Sequence, residues 1–238
     1  MSLWIVVPAY NARRHLAEVI RRIVDARPPD LEQIVVVDDG STDYTVAVAR
    51  GVARGVKQLE IIVRDANGGY GAAMKTGLAA ARAGGASTAA AVHADGQYSP
   101  EVLGDLLAEM ERRGLDLLQG SRIAGGQAIA GGMPAYKYAG NWLFNKLEKA
   151  VFALPMTDFH SGYLVYGARA LTELPFDRLS DSFDFDLEVI ASARARGLAV
   201  GEAPIPTRYA DEISHLNAFT YTLRVLRVMW RFKRGQYA

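Results

Sequence analysis

The sequence contains no cysteine, no long apolar run and no excess of either sign of charge. The absence of cysteine excludes disulfide bonds, thiolate catalysis and zinc sites built from thiolates. A membrane-spanning helix needs about 18 to 20 apolar residues, and the richest stretch, Leu223–Phe232, is interrupted by three arginines. The 27 basic and 26 acidic residues leave a net charge of +1, which argues against a dedicated nucleic-acid binder because phosphate neutralisation needs a basic excess.

The N-terminus also lacks the pattern of a secretory signal, which begins with basic residues and continues with a long apolar segment. Leu3–Ala9 instead has the composition of a short buried strand. We therefore expect a cytoplasmic protein without a transmembrane segment. Half of the 238 residues are hydrophobic and 22% are charged, a composition typical of a folded globular chain rather than a disordered one.

Strand-like and helix-like segments alternate through the first half of the chain. Short apolar runs predict five strands, at Trp4–Pro8, Ile34–Val37, Leu59–Val63, Ala89–His93 and Asp116–Gln119. Between the strands, sequence patterns predict four helices, at Arg13–Asp25, Thr42–Arg54, Ala72–Ala83 and Pro100–Arg113. Near-continuous apolar strands that alternate with helices are typical of a parallel sheet with helices on both faces.

The alternation becomes irregular in the second half. Ser121–Met133 is rich in glycine and predicts a flexible loop. The remaining predicted elements are helices at Tyr136–Phe152, Phe185–Arg196 and Asn217–Lys233 and strands at Gly162–Tyr166 and Leu198–Ala203. Because no linker or internal repeat separates the halves, we predict a single domain over residues 1–238.

Polar residues follow the predicted strands. Ligands of open parallel sheets bind outside the carboxyl ends of the strands, so these residues are site candidates. They are Pro8–Asn11, Asp38–Asp43, Asn67–Gly71, His93–Gln97 and Gly120–Arg122. Acidic groups at two strand ends, together with glycine-rich turns, are typical of a site for a nucleotide and a divalent cation.

The acids after the second predicted strand have two interpretations. Ser41, Thr42 or Asp43 alone is suited to capping a helix, because its side chain can accept hydrogen bonds from free helix amides. Two adjacent acids exceed the needs of a cap, and Asp39 is therefore predicted to contact a ligand. The glycines of Asn67–Gly71 are equally suited to a permissive turn and to close approach of the backbone to a diphosphate.

His93 and Asp95 lie two residues apart at the end of a predicted strand. Side chains alternate along a strand, so both are expected on the same side. Asp95 is a predicted metal ligand, whereas His93 is either a second ligand or a packing residue.

The motifs of the chain, taken in order, resemble those of family 2 glycosyltransferases of the GT-A fold. In the first half the resemblance rests on Val6–Asn11, Val36–Asp43 and Asn67–Gly71. Similarity to the dolichyl- and polyprenyl-phosphate sugar transferase branch rests on His93–Pro100, Gly120–Arg122, Asp158–Tyr163 and Pro204–Tyr209. The resemblance implies an α/β, Rossmann-like sandwich with a mostly parallel central sheet and helices on both faces. It also implies an inverting transfer of a sugar from a UDP- or GDP-linked donor.

The resemblance divides the domain into a nucleotide-sugar-binding half, residues 1–121, and an acceptor-binding half, residues 122–238. The implied nucleotide-binding residues are Pro8, Tyr10, Asn11, Asp39, Asn67, Gly68, Gly71 and Asp95. The family's DxD pattern binds Mn²⁺ or Mg²⁺, and the candidate metal ligands here are Asp95, His93 and Gln97. His93 replaces the first acid of that pattern, and imidazole suits Mn²⁺ better than Mg²⁺.

The resemblance also implies residues for catalysis and for the acceptor, which in this branch is a polyprenyl phosphate. Arg122 is expected near the donor phosphates. Asp158 is either the base for a hydroxyl acceptor or an orienting group for a phosphate, which is already anionic near neutral pH. A purely structural role as a strand cap is the alternative for Asp158. Lys137, Ser161 and Arg208 are the candidate acceptor contacts, and Lys137 is equally suited to a solvated helix face.

Other classes of function make different demands on the sequence. A dinucleotide oxidoreductase needs a glycine-rich fingerprint after the first strand, and Pro8–Asn11 does not supply one. A catalytically silent module that binds a nucleotide-sugar is the main alternative, because His93 weakens the metal motif. A transferase with a soluble or glycan acceptor is another.

Two segments of the second half each have two interpretations. The acids Asp184, Asp186 and Glu188 either favour the start of a helix through its dipole, or one of them faces the acceptor. The amphipathic C-terminal helix either covers the core or lies at the inner face of a membrane with its arginines on anionic headgroups. On that helix, one side carries Leu223, Leu226, Trp230 and Lys233, and another carries Arg224, Arg227, Arg231 and Arg234.

Overall fold

A computed structural model describes residues 2–125, 135–206 and 218–238 of the protein. The strands within these ranges are β1 (Leu3–Ala9), β2 (Leu31–Asp38), β3 (Leu59–Val63), β4 (Thr88–Ala91), β5 (Leu117–Ser121), β6 (Leu164–Tyr166) and β7 (Val200–Pro204). They form one seven-stranded sheet in the order β3-β2-β1-β4-β6-β5-β7. The predicted α/β architecture with a mostly parallel sheet is confirmed, since only β6 runs antiparallel to its neighbours among these strands.

The helices of the described ranges flank this sheet. They are α1 (Leu16–Ala26), α2 (Thr45–Ala53), α3 (Tyr70–Ala83), α4 (Leu103–Arg113), α5 (Ala135–Phe152), α6 (Ala168–Glu173), α7 (Phe185–Ala195) and α8 (Ala218–Lys233). The sequence predicted all of them except α6, which has just six residues. Pro100–Val102 forms a 3₁₀ turn rather than the first turn of α4.

Strand residues pack alternately on the two faces of the sheet. Trp4 and Val6 of β1 join a core with α3 and α5–α8, whereas Ile5 and Val7 join a second core with α1, α2 and α4. Both faces of β1 are buried, which explains why its sequence is apolar throughout.

Strand β6 lies between β4 and β5 and is antiparallel to both. Its amino-terminal end therefore lies at the edge of the sheet where β4 and β5 have their carboxyl ends. The segment that leads into β6, Asp158–Tyr163, arrives at the same edge. The sequence predicted this strand two residues too early, at Gly162. In the structure the Gly162 N–H donates to the Tyr98 hydroxyl at 2.9 Å.

Strand β4 ends earlier than predicted. The Val92 N–H still donates to the Val6 carbonyl at 3.0 Å, and the chain then turns, with the Gly96 N–H donating to the His93 carbonyl at 3.4 Å. Gly96 has φ of +79°, a value that glycine adopts without strain. His93 and Asp95 therefore lie in this turn beyond the strand, and the expectation that strand alternation places them on one side is wrong.

Two glycines give a matched test of how α3 packs on the sheet. A Cβ at Gly77 of α3 would overlap the Val6 side chain, whereas a Cβ at Gly51 of α2 meets nothing within 4 Å. We expect Gly77→Ala to lower the free energy of unfolding by about 1 to 3 kcal/mol through overpacking. Gly51→Ala should raise it by up to about 1 kcal/mol, because alanine favours the helix. Urea denaturation of both variants measures the difference, and equal stabilities would contradict the packing of α3 on β1.

Candidate active site

The loops that follow β1 and β2 are joined to each other by hydrogen bonds. The Asn11 N–H donates to the Ser41 hydroxyl, and the Asn11 side-chain oxygen accepts from the Thr42 N–H, both at 2.9 Å. Of the other predicted donor contacts here, Tyr10 is 49% exposed at the edge of the sheet, whereas Pro8 is buried within β1. Tyr10 is therefore available to a ligand, whereas the Pro8 side chain is not.

Asp39 holds the loop that follows β3. Its buried carboxylate accepts hydrogen bonds from the Arg64 guanidinium and from the N–H groups of Gly68 at 3.1 Å and Gly69 at 2.8 Å. The loops after β2 and β3 are thus fixed against each other. Replacing Asp39 with alanine would also leave Arg64 without this partner, so such a variant would not isolate a donor contact.

The remaining donor candidates of this loop differ in exposure. Asn67 is exposed beside the loop glycines. Gly71 is buried, and a Cβ there would meet the backbone of Ser180 and Asp181 and the Phe185 side chain. Close packing against this segment is therefore enough to require glycine at position 71.

His93 is enclosed by aromatic rings and bound through one ring nitrogen. Its Nε2 lies 3.0 Å from the Tyr70 hydroxyl, which in turn donates to Asp186 Oδ1 at 3.2 Å. The rings of Tyr70 and Tyr98 meet the imidazole edge-on, with centroids 5.1 and 4.9 Å away. When Asp186 is ionised, Tyr70 donates to it, so the His93 Nε2–H donates to Tyr70 and leaves Nδ1 as the acceptor nitrogen.

Electrostatics favour a neutral imidazole at this position. Burial is the largest influence on the pKa of His93 and lowers it, Asp95 acts in the opposite direction, and Arg122 lowers it further. Neutral imidazole is the form that binds metal ions.

Asp95 has one carboxylate oxygen bound and one available. Oδ1 accepts the Gln97 N–H at 3.0 Å, whereas Oδ2 accepts no hydrogen bond from a residue in the described ranges. Those ranges contain no group of three or more His, Cys, Asp or Glu side chains able to hold a metal. This donor set does not fit a cation held by protein alone. It fits one bound by a carboxylate, with phosphate oxygens and water completing the shell, as is common for Mg²⁺.

Asp158 and Arg122 form a buried pair next to this turn. Arg122 Nε lies 3.1 Å from Asp158 Oδ2, and Arg122 Nη2 donates to the His160 carbonyl at 2.9 Å. Burial is the largest influence on Asp158 and disfavours its ionised form, but Arg122 and the His160 N–H outweigh burial and hold the pKa of Asp158 below its usual range. Asp158 is therefore ionised, makes a weak base, and orients Arg122.

Three residues that the sequence did not single out connect this pair to the helices. His160 Nδ1 lies 3.0 Å from the Tyr221 hydroxyl of α8, and its Nε2 lies 3.1 Å from the Glu148 carboxylate of α5. Burial raises the pKa of Glu148. Asp158–His160 is thus supported by two helices of the second half, α5 and α8.

The other predicted acceptor contacts are placed differently. Ser161 is fully buried, and its carbonyl accepts from the Gln119 side chain at 2.6 Å. The side chain of Lys137 and all of Arg208 lie outside the described residues.

Among the three acids at the start of α7, Asp186 is the one that reaches the site. It bonds Tyr70, whereas Asp184 and Glu188 pair with arginines of α8 on the other side of the helix. Burial raises the pKa of Asp186 to about 7. Tyr70, Tyr98 and Asp186 were not predicted as site residues. Tyr70 and Tyr98 lie inside motifs that carry the family resemblance, and that position could have identified them as site residues. Nothing in the local sequence distinguishes Asp186 from Asp184 and Glu188.

Comparison with known proteins agrees with this geometry. The family model described as glycosyl transferase family 2 matches residues 4–174, more than half of the chain. The UDP-N-acetylglucosamine–dolichyl-phosphate N-acetylglucosaminyltransferase of Methanococcus voltae is 26% identical over 221 residues, which cover 88% of this chain and 86% of that protein. The polyprenol monophosphomannose synthase of Mycolicibacterium smegmatis is 29% identical over 203 residues, which cover 84% of this chain and 75% of that protein.

Solved structures show the same fold. Glucosyl-3-phosphoglycerate synthase from Mycobacterium tuberculosis, in complex with Mn²⁺, UDP and phosphoglyceric acid, superposes with a TM-score of 0.69 at 16% identity. The match covers 98% of this chain and 78% of that chain. A complex of the same enzyme with Mg²⁺ and UDP gives a TM-score of 0.67. With the family match, this likeness shows that the chain belongs to glycosyl transferase family 2 and is a glycosyltransferase of the GT-A fold.

Proposed function

We propose that the protein transfers a sugar, with inversion, from a UDP- or GDP-linked donor to a polyprenyl phosphate, using Mn²⁺ or Mg²⁺. The observation that carries this proposal is the pairing of Asp158 with Arg122, which holds Asp158 ionised. A hydroxyl acceptor needs a base, and Asp158 is a weak one. A phosphate monoester has a second pKa of about 6 and needs none. The names of the two relatives from Methanococcus and Mycolicibacterium support a polyprenyl-type phosphate.

Different site residues would bind the nucleoside end and the diphosphate end of the donor. Tyr10, Asn11 and the loop held by Asp39 would bind the nucleoside end. Asp95, with His93 beside it, would hold the cation, which when bound neutralises charge on the leaving diphosphate. Arg122 adds a fixed positive charge, because Asp158 and the His160 carbonyl determine its direction. The anionic acceptor phosphate would then attack the anomeric carbon from the face opposite the nucleoside diphosphate, which leaves as its bond to that carbon breaks.

A lipid acceptor places the reaction at a membrane surface. We propose that the enzyme acts as a peripheral protein at the cytoplasmic face. In the described ranges no helix is long and apolar enough to cross a membrane.

A panel of nucleotide-sugars with each metal tests the donor and the cation together. A donor that raises the melting temperature only with metal identifies both, since a ligand stabilises the state that it binds. Product analysis with polyprenyl phosphate in detergent micelles then tests the transfer. Donor binding without transfer to lipid, hydroxyl or glycan acceptors would instead support a catalytically silent module. Transfer to a small soluble acceptor alone would overturn the lipid assignment.

Asp95→Asn tests the carboxylate of the metal site. We expect it to abolish metal-dependent donor binding and to slow transfer by about a hundredfold or more, because the charge on the leaving group loses its electrostatic partner. Isothermal titration of the donor with and without Mn²⁺ measures binding. Asp25→Asn, at an exposed position on α1, is the matched control. Near-normal turnover of Asp95→Asn would show that the metal is bound elsewhere.

His93→Asp tests whether the imidazole contributes to metal choice. With His93 as a ligand, the wild type should prefer Mn²⁺, and the variant should move the preference toward Mg²⁺, because carboxylate suits the harder ion. Initial rates across a concentration series of each metal give the preference. An unchanged preference in a folded variant would identify His93 as a packing residue between Tyr70 and Tyr98.

The pH dependence of Asp158→Asn distinguishes a base from an orienting residue. If Asp158 orients Arg122, the variant should be about a hundredfold slower. Its rate should still rise through about pH 6, as in the wild type, because that limb belongs to the acceptor phosphate. Rate–pH profiles measured at saturating donor show the limb. Its loss in the variant would mean that Asp158 is the base and that the acceptor is a hydroxyl.

A further inference from the structure

Helix α8 presents an apolar stripe to the surface, on the side opposite its core face. Val225 and Val228 are each 1% exposed and pack in the core. Leu223, Leu226 and Trp230 are 52%, 45% and 53% exposed, and at 100° per residue they fall within about 60° of one another. We call these three residues the apolar stripe. The helix therefore does cover the core, but through Val225 and Val228 and not through the side that carries the apolar stripe.

A basic cleft lies next to the stripe, between α8 and the segment that leads into α7. It has a volume of about 420 Å³. Its basic lining, which we call the arginine cleft, consists of Arg178, Arg224, Arg227 and Arg231. Leu223 lines the same cleft, so the apolar and the basic surfaces are continuous.

The charges of the cleft do not cancel. Asp184 accepts from Arg224 at 3.1 Å, and Glu188 pairs with Arg231. These two arginines hold α8 to α7, which corrects the expectation that the whole arginine row is available to headgroups. Arg178 and Arg227 are exposed and make no ion pair or side-chain hydrogen bond within the described parts of the chain. Counting described residues only, the cleft therefore carries two guanidinium groups without an acidic partner, a combination suited to a phosphate group.

We propose that the arginine cleft binds the phosphate of an anionic lipid headgroup while the apolar stripe inserts into the adjoining acyl region. An interfacial helix gains affinity from buried apolar area together with attraction between basic residues and anionic lipid. This inference deepens the proposed function, because it gives a lipid-dependent enzyme a surface for the bilayer. The cleft differs from the donor site, since Asp184 and Glu188 face it from one side of α7 and Asp186 faces Tyr70 from the other.

A bilayer fits this surface better than a second copy of the chain. Residues 218–234 contain five basic side chains and no acidic one, whereas the whole chain has a net charge of +1. Two apolar stripes packed together would bring the uncompensated positive charges of both copies close to each other, which is unfavourable. An anionic membrane supplies the opposite charge.

Vesicle flotation tests the proposal directly. At low salt we expect the full-length protein to float with phosphatidylcholine vesicles that contain phosphatidylglycerol, and not with phosphatidylcholine alone. The cleft variant Arg178→Gln/Arg227→Gln should bind about thirtyfold more weakly, since each basic residue near the surface contributes about 1 kcal/mol. The stripe variant Leu226→Gln/Trp230→Gln should also lose binding. Arg50→Gln/Arg54→Gln, which removes two exposed arginines at α2, is the matched control and should bind like the wild type.

Four outcomes would overturn the inference. Failure of the wild type to float excludes a lipid surface. Equal losses in the cleft variant and the α2 control show that net charge alone acts. Thermal stabilisation by inorganic phosphate that depends on Arg178 and Arg227, without flotation, assigns the cleft to a soluble phosphate. A dimer in sedimentation that Leu226→Gln/Trp230→Gln dissociates, again without flotation, assigns the stripe to a second copy.

Transfer in detergent micelles keeps this test separate from the proposed function. Both the cleft variant and the stripe variant should retain transfer to polyprenyl phosphate presented in micelles, because they leave the donor and acceptor groups in place. Transfer without vesicle binding would support the proposed function and contradict the proposed lipid-binding surface. The protein could instead bind vesicles through the cleft and transfer sugar to no polyprenyl phosphate. That result would support the lipid-binding surface and contradict the proposed function.

Discussion

Strand β6 is antiparallel to both of its neighbours. Its direction decides which residues reach the sheet edge that carries the candidate active site. A parallel strand at this position would begin at the opposite edge of the sheet and would carry its preceding segment there. Because β6 is antiparallel, Asp158 and Gly162 arrive beside the carboxyl ends of β4 and β5. Gly162 then fits so closely against His93 that a Cβ would lie 2.5 Å from the imidazole. The two halves of the chain thereby meet at a single edge of a shared sheet.

Some buried carboxylates of the described residues pair with a guanidinium, and others do not. Removing the guanidinium from such a pair would leave an uncompensated buried charge, so each pair fixes the segments that it joins. These pairs are Asp39–Arg64, Asp158–Arg122, Asp184–Arg224 and Glu188–Arg231. Asp186 and Glu148 have no arginine partner among the described residues, and burial raises the pKa of both. The paired acids hold neighbouring segments together. Of the two acids without an arginine partner, Asp186 lies next to Tyr70 and Glu148 lies next to His160.

Most helices and strands could be predicted because short-range sequence patterns determine them. The β-branched runs of β1 and β2 and the apolar spacing of α1 determine strand and helix without reference to the rest of the chain. The direction of β6 is not local, because the same three apolar residues suit either direction and only their neighbours decide. The short α6 was missed for a related reason, since six residues give too little periodicity.

Predictions about side chains succeeded in placing residues at an edge and failed in assigning their partners. The residues from Tyr10 to Asp158 do gather at the carboxyl ends of the strands. The sequence could not show that Arg64 and two glycine N–H groups already occupy Asp39, because those donors lie more than twenty residues away. For the same reason, the sequence left open which side of α8 is exposed. A helix with apolar residues on two sides gives no local sign of which side meets the core.

The placement of α8 joins the two surfaces that a lipid-dependent transferase must coordinate. Tyr221 of α8 contacts His160, whose N–H in turn binds Asp158 at 2.9 Å. Arg224, three residues further along the same helix, pairs with Asp184 at the arginine cleft. About one turn of helix therefore separates a contact to the segment that holds the Asp158–Arg122 pair from a contact to the proposed headgroup site. Because that helix also packs in the core through Val225 and Val228, the fold sets the distance between the proposed headgroup site and Asp158.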